Sequence, residues 1–345
     1  MKTLTLKTRV FPAKVFVITV DAIQKGTLLM IALSLLIVPR AVAANDIDRR
    51  AAAALFARYE TIFYTNTDLS TPLTLYKGLS RSVAGSLAIP FGELPAALDL
   101  LNKHASSEIL GNADAVLLGA KNFISPRGAG SAGHPGSYCF IVSFGKQSEP
   151  SLGKYFTQTP VASVAAGPVW KWVADLYERE PPVTYYATQV GSFYLLFSND
   201  DKELQKVAAE LASSNDPPKT LTTVRDWSFV SQHEYWGYRF LRRKGLNGKD
   251  LADLDQFLPG AEAIAVFVDI KQKAGVMRLL GSERTKSAVP KVNKSIADET
   301  GGSAMSFQPV SDGVWDAPFS LSGRGQDPMA KTWEIMKFFG YPIII

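Results

Sequence analysis

Two stretches of this chain follow one plan, a β-hairpin running directly into a helix, and that repetition narrows the folds open to it. In the first, Thr184 to Ser198 alternates around a turn at Gly191. Asp200 then stands as a helix N-cap with Glu203 at the third helical position, and Leu204, Val207, Ala208 and Leu211 recur at helical spacing. In the second, Ala304 to Leu321 folds around Asp312 and Gly313, a strong hairpin signal. Asp327 then caps, Pro328 takes the first helical position, Met329, Trp333 and Met336 supply the apolar stripe, and Gly340 with Pro342 ends the helix.

A weaker repetition points the same way. NADAVLLGA at Asn112 to Ala120 resembles GAEAIAVFV at Gly260 to Val268. The identities are few, so an internal duplication and two unrelated strands of one type stand equal at this point. Further strands are expected at Tyr138 to Phe144 and around Trp170 and Trp172, which alternate about Lys171 and point to one side. Helices are expected over Asp46 to Tyr59 and Glu93 to Lys103. Together these predict an α+β fold: a mainly antiparallel sheet of hairpin-plus-helix units, with helices on one face. Ser213 to Pro218 combines helix termination with two prolines and divides residues 44–215 from 216–345, as two halves or as lobes of one continuous domain.

Residues 1–43 read as a targeting segment. Thr27 to Val38 is an uncharged apolar run preceded by Lys25 and followed by Pro39, Arg40 and the small-residue stretch Ala41, Val42, Ala43. That is the order of a secretory signal, and the run falls short of the roughly 20 apolar residues a spanning helix needs. Cleavage is expected near Ala43, leaving a bacterial periplasmic or secreted protein with no stable transmembrane span. An uncleaved N-terminal anchor is the alternative.

Charge excludes one class of partner. The net charge is +5, from 37 basic and 32 acidic residues, but six of the basic residues and only one acidic residue fall within 1–43. The remainder is balanced, which is no footprint for nucleic acid or anionic lipid. With Cys139 the single cysteine, no internal disulfide can form, and stability rests on the core.

No motif for catalysis or cofactor binding stands up. Gly128 to Gly133 matches GxGxxG, but a second strand rather than a helix follows, so no helix N-terminus is offered to a pyrophosphate. His104, His134 and His233 show no metal-ligand spacing, and neither a GxSxG elbow nor a P-loop is present. Cys139 lies within an apolar strand and reads as a buried small hydrophobe. Asn293 to Ser295 fits the glycosylation pattern, which arises often by chance. No bound metal, nucleotide or other cofactor is implied.

The most unusual composition is QHEYWGYRFLRRK, Gln232 to Lys244. As a strand it would put Trp236, Tyr238 and Phe240 on a core face and His233, Tyr235, Arg239 and Arg243 on the other. The second set is the candidate binding site, a row of hydrogen-bond donors for a small ligand or an envelope component. The expected function is therefore a non-catalytic binding or interaction module of the cell envelope. The alternative is an exported hydrolase whose active site is dispersed along the sequence.

Overall fold

In a computed structural model the residues described are 49–65, 94–121, 137–144, 152–156, 160–164, 167–175, 182–213, 233, 235–241, 255–256, 258–269, 272–299 and 306–320. They form one twelve-stranded sheet: β1 Thr61–Thr65, β2 Ala115–Lys121, β3 Ser137–Ser143, β4 Ala162–Val164, β5 Gly167–Ala174, β6 Val183–Val190, β7 Tyr194–Ser198, β8 Tyr235–Phe240, β9 Ala261–Asp269, β10 Ala274–Gly281, β11 Gln308–Ser311 and β12 Val314–Ser320. The spatial order is β11-β12-β10-β9-β8-β1-β2-β3-β7-β6-β5-β4. Neighbouring strands pair antiparallel throughout. Helices are α1 (49–56), α2 (94–99), α3 Ala105–Leu110, α4 Asp201–Ser213 and α5 Glu283–Glu299.

The α+β class and the antiparallel sheet are as the sequence pattern predicts, but helices lie on both faces rather than one. On the first face, α1 and α4 cover a core that includes Ile62, Leu117, Ile141, Leu196 and Trp236. On the second face there are two separate layers. Residues of α2 and α3 pack with Leu118, Phe140 and Phe197, and Val289 of α5 packs with Ile264, Leu279 and Trp315. This double covering explains why β2 and β3 read as unbroken apolar runs instead of alternating. Leu117 and Leu118 point to opposite faces and both are fully buried.

Strand register shows that the two halves repeat. The β1–β8 pairing runs from Thr61 opposite Arg239 to Thr65 opposite Tyr235, symmetric about Phe63 and Gly237. Stepping outward from Tyr64, the cross-strand row is Leu117, Ile141, Leu196. From Tyr238, the matching position of β8, it is Ala265, Arg278, Asp316. The next first-face row is Ile62, Gly119, Cys139, Ser198 in one half and Trp236, Phe267, Val276, Pro318 in the other. The order β1-β2-β3-β7-β6 is thus answered by β8-β9-β10-β12-β11 across an approximate two-fold axis normal to the sheet. The resemblance of Asn112–Ala120 to Gly260–Val268 places β2 on β9 in this same alignment.

Local chemistry accounts for the hairpins and the caps. Gly191 and Gly313 sit in the two hairpin turns with φ of 58° and 70°, a region costly for side chains with a Cβ. The Asp200 carboxylate accepts hydrogen bonds from the backbone N–H of Lys202 and Glu203 at 3.0 and 3.2 Å, capping α4. The expected stripe of Leu204, Val207, Ala208 and Leu211 is buried. The helix expected over Glu93 to Lys103 is interrupted, because the backbone N–H of Ser106 bonds back to Asp99 and that of His104 to Asn102, starting α3 afresh. The helix expected after Asp327, the targeting segment and the boundary at Asn215 to Pro218 lie outside the described residues.

Candidate functional site

Matching corners of the two halves differ sharply in chemistry. In the first half Tyr59, two residues ahead of β1, lays its ring on Gly119, where an added Cβ would come within 2.5 Å of the ring. Tyr59 and Cys139 are fully buried. Burial raises the pKa of the Tyr59 hydroxyl, helped by the negative charge of Glu203 and Asp200. It does the same to the Cys139 thiol, against a hydrogen bond with Tyr59 that pulls the other way. Lys121 closes the corner, with its Nζ 5.3 Å from the Tyr59 ring centre and 2.7 Å from Glu203 Oε2. Lys206 holds the other Glu203 oxygen at 3.0 Å. Burial alone would raise the Glu203 pKa, but the two lysines outweigh it and hold the carboxyl below its ordinary value. This corner is a seal between α4 and the sheet.

The second half keeps the geometry and changes the residues. His233, two residues ahead of β8, takes the place of Tyr59; Phe267 takes that of Gly119 and Asp269 that of Lys121. His233 Nδ1 lies 2.8 Å from Asp269 Oδ2, and its ring centre is 5.2 Å from that of Phe267. On the same phenyl ring, the Arg278 guanidinium carbon sits 5.7 Å from the centroid. Arg278 donates from Nε and Nη2 to the two carboxylate oxygens of Asp316 at 2.7 and 2.8 Å, a bidentate pair. The four side chains are 12 to 16% exposed, enclosed yet within reach of solvent. Both bases lie against one ring, that of Phe267 near the end of β9.

The strand expected within Gln232 to Lys244 is β8, and its core face is as expected: Trp236 and Tyr238 are buried and Phe240 packs partly buried against them. The Trp236 ring stacks on Phe56 at 5.7 Å and on Tyr64 at 5.1 Å. The four candidate binding residues are not gathered into one row. His233 stands before the strand begins and lies against Phe267 on the first face, whereas Arg239 pairs with Thr61 and Ile264 on the second. Arg239 is half-buried there, and desolvation lowers its pKa despite the nearby charge of Glu60. Tyr235 is the first residue of β8; Arg243 and His134 lie outside the described residues.

Other residues singled out by sequence take structural places. Trp170 and Trp172 both face the second core, and Trp172 donates from Nε1 to the Ala97 carbonyl. Asn293 donates to the Phe307 carbonyl at 3.1 Å and accepts from its N–H at 2.8 Å, tying α5 to the start of β11. Cys139 is reached from Tyr238 by crossing three strand spacings, and His233 lies five residues back along the chain from Tyr238. The two are roughly 20 Å apart at ordinary strand spacings. Asp269, Arg278 and Asp316 carry no sequence motif. The signal of Arg278 and Asp316 lay in the repeat, as polar residues at positions that the first half fills with Ile141 and Leu196, while Asp269 stands where the first half has Lys121.

Among the described residues, no group of three or more His, Cys, Asp or Glu side chains is placed to hold a metal ion. No helix among them is long and apolar enough to cross a membrane. No protein-family model matches the chain, and no curated protein matches it. Among solved structures it is similar to two crystal forms of TP0453. Form I has a TM-score of 0.39 at 8% identity, covering 78% of this chain and 92% of that one; form III has 0.38 at 10%, covering 78% and 93%.

Proposed function

We propose that the mature chain is a non-catalytic binding module of the bacterial cell envelope, exported by a signal segment cleaved near Ala43. The observation that carries this reading is the half-buried cluster of His233, Asp269, Arg278 and Asp316. It sets donors and acceptors side by side, with Arg278 and Asp316 at positions that the first half fills with apolar residues. Such an arrangement suits a small polar ligand, since enclosed hydrogen-bonding groups discriminate strongly between ligands that satisfy them and ligands that do not. Arg239 lies on the opposite face of β8 and is not part of this cluster.

One observation favours the second reading, a hydrolase. The Asp269 carboxylate holds His233 through Nδ1, the arrangement that orients an imidazole for proton transfer. Against it, Cys139 is sealed beneath Tyr59, far from that histidine. The two readings separate in one assay series on purified mature protein. Chromogenic ester, amide and glycoside substrates should show no turnover above a His233→Ala control, while a thermal-shift screen of envelope-derived small molecules should give saturable stabilisation. Turnover abolished by His233→Ala would establish the hydrolase. Export is tested by sequencing the N-terminus of protein recovered from periplasm or medium, which should begin next to Ala44.

A further inference from the structure

The two-fold repeat permits a comparison within one chain, because each residue of the polar corner has a structural counterpart that shows what the fold alone requires. Ile141 opposite Leu196 becomes Arg278 opposite Asp316, and Lys121 with Tyr59 becomes Asp269 with His233. In the first half these positions are filled by packing and by a lysine that binds the helix residue Glu203. The second half places a charged pair, Arg278 and Asp316, at the two positions where its twin shows that apolar residues suffice, and sets His233 and Asp269 beside it. Burying an ion pair where hydrophobic packing would serve is often neutral or costly for stability, so the substitution calls for another use.

Resting on the binding reading above, we propose that the corner of His233, Asp269, Arg278 and Asp316 is the ligand site, and that its ligand is an amino sugar or a similarly polyhydroxylated amine. Two carboxylates face one guanidinium and one imidazole, so the corner does not offer the surplus positive charge that a phosphate or carboxylate ligand needs. Carboxylate oxygens accept hydrogen bonds from hydroxyl and ammonium groups, and the planar guanidinium donates to hydroxyl and ring oxygens. A ligand with several hydroxyls and one amine satisfies both at once. Each base lies against the Phe267 ring and is held by a carboxylate, so the site is assembled before the ligand arrives.

Calorimetric titration of the mature protein with glucosamine, glucose and inorganic phosphate tests the proposal. Glucosamine should bind saturably, glucose at least tenfold more weakly, and phosphate should compete with neither. The double replacement Arg278→Ile with Asp316→Leu installs the pair already present in the first half, and its folding is checked by circular dichroism. It should lose glucosamine binding at least tenfold, and His233→Gln should weaken it severalfold. Absence of saturable glucosamine binding by the unaltered protein overturns the ligand class, as does preferential binding of phosphate. Binding that survives in the folded double variant overturns the site, while leaving the reading of the chain as a binding module in place. Turnover of a chromogenic substrate would instead remove that broader reading.

Discussion

His233 stands to Phe267 as Tyr59 stands to Gly119: each precedes its strand by two residues and lays its ring on the same position of the neighbouring strand. In one half the partner is a glycine and the ring fills the space itself. In the other the partner brings its own ring, and the incoming side chain is left to make polar contacts. This exchange of volume explains how one backbone plan holds both a sealed corner and a hydrogen-bonding one.

The sealed corner should not tolerate added volume. A Cβ at Gly119 would come within 2.5 Å of the Tyr59 ring and 3.0 Å of Leu55, and both neighbours are fully buried. Gly119→Ala is expected to cost about 1–3 kcal/mol, as overpacked cores do. Urea denaturation of the variant measures it, and an unchanged midpoint would show that Tyr59 can move aside.

Trp236 anchors the seam between the halves, stacked between Phe56 and Tyr64 and 2% exposed. Trp236→Ala should destabilise by roughly 3–5 kcal/mol, since a large aromatic leaves a large cavity. Denaturant melts followed by circular dichroism decide this, and a loss below about 1 kcal/mol would mean the seam is not a tightly packed core.

Cys139 should react with a thiol reagent only after unfolding. Its side chain is fully buried and burial suppresses the thiolate, the reactive form. Rapid stoichiometric labelling of native protein would contradict the placement.

Acid stability should depend on Glu203. Its folded pKa is held below the unfolded value by Lys121 and Lys206, so its contribution is present above the unfolded carboxyl range near 4.3 and is lost as pH falls through the lower folded value. Glu203→Gln should therefore lower stability at neutral pH and flatten the slope of stability against pH on the acid side. Melting temperatures measured from pH 7 down to pH 2 check both effects.

Much of the scaffold was legible because its signals are local. Gly191, Asp312 with Gly313, and the Asp200 cap with its four-residue stripe each mark structure within a few residues of themselves, and the structure shows each in place. The short strand β1 escaped notice, since five buried residues without alternation look alike in helix and strand. That helices cover both faces escaped, because unbroken apolar runs do not say what covers them. The site was the least legible part. His233 was singled out, but its grouping with Arg239 assumed that the strand runs through His233, whereas β8 begins at Tyr235 and His233 lies on the other face. Arg278 and Asp316, far apart in sequence, acquire meaning only once β10 and β12 pair and the repeat shows what stands in their place.

The most direct test of the central claim, that the second corner is kept polar for a ligand rather than for the fold, is the unfolding free energy of the Arg278→Ile, Asp316→Leu protein. If the pair serves binding, exchanging it for the apolar pair of the first half should leave stability unchanged or raise it, by up to roughly 4 kcal/mol. A loss of about 3 kcal/mol or more would show that the ion pair holds the sheet together, and the ligand site would have to be sought elsewhere.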